Sequence, residues 1–123
     1  MPTIMQAVPV LPAEDVAASL DYYVNRLGFT ETFRDADRPR YAGLRRDSAW
    51  LHLSACEEGL ARTVGSQTMC RFHVDDIEAY YTEVKSRGTT IHPNGDLQTK
   101  PWGTREFGVI DPCGVCITFF SPA

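Results

Sequence analysis

Residues 100–120 have the sequence Lys-Pro-Trp-Gly-Thr-Arg-Glu-Phe-Gly-Val-Ile-Asp-Pro-Cys-Gly-Val-Cys-Ile-Thr-Phe-Phe and predict two strands joined by a turn. In the first strand, Thr104–Ile110, alternation places Arg105, Phe107 and Val109 on the side opposite Glu106, Gly108 and Ile110. Residues 111–114, Asp-Pro-Cys-Gly, match a type I turn, because Asp favours its first position, Pro its second and Gly its last. The β-branched and aromatic run Val115–Phe120 predicts the returning strand.

The first half of the chain predicts one strand, one helix and three further strands. The helix opens at Glu14-Asp15, carries the apolar stripe Val16, Leu20, Tyr23 and Leu27, and stops at Gly28. The predicted strands are Met5–Leu11, Phe29–Arg34, Tyr41–Arg45 and Ala49–Ala55, the last two forming a hairpin. Pro9 confines the first of these strands to an edge, an end or a crossing point.

The second half predicts the same order of elements after a polar linker, residues 56–67. Its helix opens at Asp75-Asp76, carries Ile77, Tyr81 and Val84 on one face and stops at Gly88; capping and the helix dipole explain the paired aspartates. Asp76 follows Asp15 by 61 positions, and Gly88 follows Gly28 by 60. This near-constant offset indicates an internal duplication. The predicted strands are Thr68–Val74, Thr89–Ile91 and the two of residues 104–120.

Three motifs give the carboxy-terminal stretch a family resemblance. Pro-Trp-Gly at 101–103, Arg-Glu-Phe at 105–107 and Asp-Pro-x-Gly at 111–114, followed by a final strand, resemble the end of bleomycin resistance proteins. Those proteins belong to the vicinal oxygen chelate superfamily, which includes glyoxalase I. The resemblance implies an α+β fold of two βαβββ modules, at about residues 4–56 and 68–121 of a single domain spanning 1–123. It also implies a homodimer with a ligand groove built by both chains.

Length and composition favour one ordinary globular domain. The chain has 123 residues, of which 43% are hydrophobic and 23% charged. We expect no membrane partner, because no apolar run approaches the roughly 18 residues of a span. The amino terminus lacks a signal sequence, which predicts a cytoplasmic location. The net charge of −4 argues against nucleic acid and would suit a cationic ligand, whose attraction weakens with salt.

The metal ligands of the superfamily are not reproduced by this sequence. The four positions that the resemblance implies lie near Val8, at His52, near Met69 and at Thr118. Only His52 binds a divalent metal well, and one histidine is not a site. We therefore expect no metal, no cofactor and no catalytic residue. His52 is then a hydrogen-bonded wall residue of the cup. Cys113 and Cys116 form a lone C-x-x-C, which we interpret as structural.

Aromatic and polar side chains on the curved sheet predict a site for a small organic ligand, such as a glycopeptide antibiotic of the bleomycin type. Trp102 lies in a loop, where it is either a core plug or a ligand wall, and some of the sheet residues are either core or lining. The predicted ligand-binding residues are Phe33, Trp50, His52, Arg71, Trp102, Thr118 and Phe120.

The resulting functional prediction is a metal-free protein that sequesters a planar aromatic or cationic compound at a dimer interface. One alternative is a metal-dependent lyase or dioxygenase of the same superfamily, with a displaced metal site built from His52, His73 or Cys116. Another is an interaction module with no small ligand, for which a filled cup would be the sign.

Overall fold

The structure, a computed structural model, describes residues 1–123 as two βαβββ modules. Module one contains β1 (Val10–Ala13), α1 (Val16–Leu27), β2 (Thr30–Arg34), β3 (Tyr41–Arg46) and β4 (Ala49–Ala55). A short helix, α2 (Ala61–Ser66), links it to module two. Module two contains β5 (Met69–His73), α3 (Ile77–Ser86), β6 (Gln98–Thr99), β7 (Thr104–Ile110) and β8 (Cys116–Pro122).

Each module forms one four-stranded mixed sheet, and the two sheets have the same topology. The strand orders are β1-β4-β3-β2 and β5-β8-β7-β6. In both sheets the first strand pairs in parallel with the last, and the other neighbours are antiparallel. The predicted α+β class and the predicted duplication are therefore confirmed.

The helices cover the inner sides of both sheets and join the modules through one hydrophobic core. The predicted stripe of α1, Val16, Leu20, Tyr23 and Leu27, is buried. Inner strand residues of both modules belong to the same cluster of 21 buried residues, which includes Leu51 and Phe107. None of the helices is long and apolar enough to cross a membrane. Because the inner sides of both sheets contribute to the shared core, their outer sides face away from it.

The carboxyl ends of α1 and α3 bind each other reciprocally. Arg26 in the last turn of α1 donates to the Arg87 carbonyl at 2.6 Å, and Arg87 donates to the Asn25 carbonyl at 3.4 Å. Tyr80 and Thr89 donate to two further carbonyls at the end of α1. These contacts satisfy carbonyl groups that a helix end leaves without partners. Arg26 and Arg87 are themselves 61 positions apart, which matches the duplication.

Both helices begin with the same aspartate cap. Oδ1 of Asp15 accepts from the Ala18 amide, and Oδ1 of Asp76 accepts from the Ala79 amide, at 3.2 and 3.1 Å. The prediction that Asp76 caps its helix is therefore confirmed. Gly28 adopts the left-handed conformation at φ 78°, as predicted for the residue that ends α1.

Two elements of module one and the linker differ from expectation. The first strand covers Val10–Ala13 rather than Met5–Leu11, because β1 has only β4 as a neighbour and their ladder begins at the Pro9 carbonyl. The segment predicted as a polar linker, residues 56–67, contains the short helix α2 at residues 61–66. Helix α2 packs against Cys113 in the turn between β7 and β8. Gly65 lies so close to the Cys113 carbonyl that no side chain would fit there, and the Cys113 thiol donates to the Ala61 carbonyl at 3.2 Å.

Module two differs in one strand and one helix face. The predicted strand Thr89–Ile91 makes only an isolated bridge between Ile91 and Val109, and the edge strand is β6 at Gln98–Thr99. Residues 92–97, which connect Ile91 to β6, lie across β7 instead. The His92 amide donates to the Gly108 carbonyl, and the Gly108 amide donates to the Gly95 carbonyl. On α3 the buried aromatic residue is Tyr80, whereas the predicted Tyr81 is only half-buried.

Candidate functional site

An aromatic cluster lies on the outer side of the first sheet, which we call face A: Phe33, Tyr41, Trp50 and His52. The Phe33 ring stands edge-on to His52 at 5.2 Å between centroids and stacks on Tyr41 at 6.0 Å. Nδ1 of His52 hydrogen-bonds the Tyr41 hydroxyl at 2.9 Å. Trp50 is covered by the Arg45 guanidinium at 5.1 Å. On face A, Phe33, Tyr41 and His52 therefore fix one another's ring orientations, and Arg45 covers Trp50.

A glycine allows Phe33 to lie across face A. Gly43 pairs with His52 on one side and with Phe33 on the other. A Cβ atom at Gly43 would overlap the Phe33 ring. The absence of a side chain at this position is thus what brings Phe33 down onto the sheet beside His52.

A cation and two rings form a stack on the outer side of the second sheet, which we call face B: Arg71, His73, Glu106, Thr118 and Phe120. The Arg71 guanidinium lies 4.7 Å from the centre of the Phe120 ring, and the His73 ring stacks on Phe120 with 5.2 Å between centroids and 13° between planes. Strand register explains the stack, because Arg71 pairs with Thr118 and His73 pairs with Phe120. Face B therefore offers a guanidinium group beside an aromatic surface.

Glu106 holds Arg71 in place on face B. Its carboxylate, 8% exposed, accepts from Nη2 of Arg71 at 2.9 Å and from the Thr104 hydroxyl at 2.7 Å. These hydrogen bonds, that from Arg71 above all, lower the pKa of Glu106 despite its burial. A cavity of about 170 Å³ opens beside this pair, with Lys100 and Thr118 in its lining.

Trp102 lies outside both faces, in the loop between β6 and β7. It is 64% exposed, so it does not plug the core. The ammonium of Lys100 lies 5.7 Å from its ring centre. An exposed indole beside a cation remains available for contact with another molecule.

The seven predicted site residues do not form a single cup within one chain. Three lie on face A, three on face B, and Trp102 on neither. No hydrogen bond, ion pair or ring contact joins a face A residue to a face B residue. Of the two phenylalanines that could have been core, Phe33 is 42% exposed and Phe120 half-buried. The residues on each face are Phe33, Trp50 and His52 on face A, and Arg71, Thr118 and Phe120 on face B.

The residues at the superfamily's metal-ligand positions do not fit a metal ion. The neighbour of His52 on β1 is Val10, two positions after the expected Val8. The neighbour of Thr118 on β5 is Arg71, two positions after the expected Met69. Valine and arginine supply no ligand atom, and threonine is a weak one. No three His, Cys, Asp or Glu side chains converge anywhere in the chain.

The residues proposed for the alternative metal site lie on two different faces. His52 lies on face A, whereas His73 and Cys116 lie on the outer side of the second sheet. All four cysteines are free thiols, and Cys113 is buried against Ala61 as a packing residue.

Two residues that the sequence analysis did not select belong to these faces. Tyr41 was placed in a strand, but its bond to His52 depends on the register of the β3–β4 hairpin. Glu106 was placed on the correct side of its strand, but its pairing with Arg71 requires β8 to lie between β5 and β7. The predicted β3–β4 hairpin was the only sequence signal that Tyr41 lies near His52.

Comparison with known proteins identifies the family. The model of the Glyoxalase/Bleomycin resistance protein/Dioxygenase superfamily matches residues 4–119. The chain belongs to this superfamily. Among its relatives, bleomycin resistance proteins of Geobacillus stearothermophilus and Staphylococcus aureus are 30% identical over 131 aligned positions. That alignment covers 95% of this chain and 96% of each relative.

Solved structures of the superfamily agree with this assignment. The bleomycin-binding protein of bleomycin-producing Streptomyces verticillus, complexed with copper(II)-bleomycin, is 33% identical with a TM-score of 0.81, and the match covers all of both chains. Another bleomycin-binding protein, complexed with bleomycin, is 28% identical with a TM-score of 0.80 over 98% of this chain and 100% of that one.

Proposed function

We propose that this chain binds and sequesters a bleomycin-type glycopeptide or a similar planar, aromatic or cationic compound, and does not change it chemically. The observation that carries the proposal is the pair of open ring surfaces, faces A and B, in a chain 33% identical to a protein solved with copper(II)-bleomycin. Stacked rings and a fixed guanidinium suit a flat ligand with a few directed hydrogen bonds.

We further propose that the binding groove forms between two copies of the chain, with face A of one copy opposite face B of the other. The division of the predicted residues between two faces that share no contact supports this arrangement. A homodimer built this way has two equivalent grooves, because a twofold axis pairs each face A with the face B of its partner. Each groove would combine the Phe33–His52 cluster with the Arg71–Phe120 stack.

Exposed apolar residues support a second copy. The arm before β1 carries Ile4 and Met5, which are 95% and 85% exposed. Beside face B, Met69 and Ile110 flank Cys116 across three strands and are 69% and 43% exposed. Contiguous exposed apolar surface of this kind usually marks an interface.

The absence of catalysis and a cytoplasmic location are parts of the same proposal. Relatives named as resistance or binding proteins support the first, as does the poor fit of Val10, His52, Arg71 and Thr118 to the metal of the superfamily's enzymes. The displaced metal site is not favoured, since its residues lie on two faces.

The proposal is tested by calorimetric titration of the protein with bleomycin, metal-free and copper-loaded. We expect saturable binding of one ligand per chain, weaker at high salt, with unchanged bleomycin recovered and identified by mass spectrometry. Trp102→Ala should weaken binding by about 1–3 kcal/mol if the indole stacks on the ligand, the range for aromatic stacking in other proteins. The fold should persist, because Trp102 is exposed.

The matched control is Trp102→Phe, which keeps a ring at the same position and should retain most of the affinity. Absence of saturable binding, or recovery of a modified antibiotic, would overturn the proposed function. Equal affinities for Trp102→Ala and the unmodified chain would remove Trp102 from the site and leave the groove to faces A and B.

A further inference from the structure

A larger cavity than the one on face B lies between the two modules, and none of the seven predicted site residues lines it. This module cleft is bounded by the β3–β4 turn (46–49), by residues 72–76 and by the first turns of α3 (76–83). Its volume is about 450 Å³. Sites for small molecules usually occupy 300–1,000 Å³, so the module cleft is large enough for a molecule with one or two rings.

The inner wall of the module cleft is aromatic. Phe72 stacks on Phe119 at 5.7 Å between centroids and meets Phe29 at the same distance with a 60° tilt. Tyr80 stands edge-on to Phe119 at 4.8 Å and completes the wall. Phe72 is the partly exposed ring of this wall, and the buried rings of Phe29, Tyr80 and Phe119 hold it in place.

The single arginine of the module cleft is fully committed to the protein. Arg46 binds Glu83 through both terminal nitrogens, at 2.6 and 2.8 Å, and also donates to the Leu27 carbonyl. Its guanidinium covers the Tyr80 ring at 4.9 Å. Glu83 in turn accepts from Arg87 at 2.9 Å. Arg46 and Glu83 therefore neutralise each other and leave no positive charge free for an anion.

Two carboxylates at the rim are not committed in this way. Asp76 caps α3, but Asp75 accepts no hydrogen bond from the chain. Asp47 is 91% exposed; Arg46 lies 3.8 Å from its carboxylate, and Arg45 donates only to its backbone carbonyl, at 2.8 Å. The rim therefore carries net negative charge beside an aromatic wall. His73 joins the rim from face B and is the only other ionisable group there.

We propose that the module cleft is a second binding site, which adjoins the proposed groove only at His73 and takes a small aromatic cation. Its ring would lie against Phe72, and its amidinium or ammonium group would bind the carboxylate of Asp75. A neutral ring of the same shape would gain the aromatic contacts alone, and an anion would meet the rim carboxylates unfavourably.

Benzamidine and its neutral counterpart benzamide test the charge requirement by nuclear magnetic resonance titration of the full chain. We expect saturable amide shifts for benzamidine at residues 46–49 and 72–80, with benzamide at least about fivefold weaker. Trp50→Ala, which alters face A, should leave benzamidine binding unchanged. The same variant should weaken bleomycin binding in the groove. A change in one binding activity without the other therefore shows which of the two sites is affected.

Asp75→Asn should weaken benzamidine binding by about fivefold or more, because it removes the free carboxylate but not the cap. Asp37→Asn makes the same charge change outside the cleft and should have no effect. Ala79→Phe fills the cleft from the surface of α3 and should abolish binding. Equal binding of the two probes, equal behaviour of the two asparagine variants, or shifts confined to faces A and B would overturn the proposal.

Discussion

Asp111 is a buried carboxylate that ties the β7–β8 turn to helix α1. Its Oδ1 accepts from the amides of Cys113 and Val115 within the turn, and its Oδ2 accepts from the Tyr23 hydroxyl at 2.7 Å. Burial raises the pKa of Asp111, and these hydrogen bonds oppose that rise. The neighbouring Tyr22 is the contrasting case, because its buried hydroxyl finds no partner in the chain.

Removal of the hydroxyl of Tyr23 or of Tyr22 should therefore affect stability differently. Tyr23→Phe leaves Asp111 short of one hydrogen bond in a buried setting, and should lower the free energy of unfolding by about 1–3 kcal/mol. Tyr22→Phe removes a hydroxyl that makes no bond, and should leave stability unchanged or slightly raised. Urea denaturation of the two variants beside the unmodified chain measures the difference. Equal losses in both would contradict this account of Asp111.

The position of Asp111 could be predicted from the sequence, but its partner could not. The Asp-Pro-Cys-Gly pattern is local, so the turn and its capping aspartate were predicted correctly. Tyr23 lies 88 positions earlier and was predicted only as one member of an apolar stripe. Its hydroxyl could not be assigned, because helical periodicity states which side of a helix is buried and not what that side meets.

At the scale of elements, Glu83 joins β3 of module one to α3 of module two. Its carboxylate binds Arg46 on β3 and Arg87 at the end of its own helix. These bonds, that to Arg46 first, lower the pKa of Glu83 to about 2. A carboxylate with a lowered pKa adds stability above its unfolded pKa, about 4.3, and loses that stability as the pH falls toward 2.

Glu83→Gln should reduce the free energy of unfolding at pH 7 by about 1–2 kcal/mol, a range that allows for the partial exposure of the group. Because glutamine does not titrate, the gap to the unmodified chain should close as the pH falls from about 5 toward 2. Denaturant titrations across this pH range measure it. Glu78 is an exposed carboxylate of the same helix. The free energy of unfolding of Glu78→Gln should stay within about 0.5 kcal/mol of that of the unmodified chain across this pH range. A pH-independent gap would contradict the role of Glu83.

The elements themselves could be predicted where their signal was long and periodic. The α1 stripe, the Gly28 stop and the β7–β8 hairpin all follow from local pattern and were confirmed. Helix α2 is six residues long with a glycine inside it, so no helical period could develop. The β6 strand was misplaced for a different reason, since the loop that crosses Gly108 is held by long-range backbone bonds.

At the scale of the whole molecule, the duplication divides the aromatic residues between two outward faces. Each βαβββ module buries one side of its sheet under the helices and leaves the other side open. Alternation along Thr104–Ile110 predicted which residues share a side, and that prediction was correct for the buried Phe107 and Val109 and for Glu106 on face B. The relation between the two open sides could not be predicted, because it depends on how the modules pack together.

The shared groove makes a prediction that a site within one chain does not make. Trp50→Ala damages face A and Phe120→Ala damages face B, so either variant alone impairs both grooves of its own homodimer. When the two variants exchange subunits by co-refolding, each mixed dimer contains one groove with both changes and one with neither. Bleomycin binding at full affinity should then reappear in about a quarter of the grooves if subunits pair at random. The control is a chain that carries both changes, refolded with itself, which should recover no bleomycin binding. Sedimentation establishes that dimers are present. Mixed dimers that bind no better than either variant alone would require both halves of the site to belong to one chain.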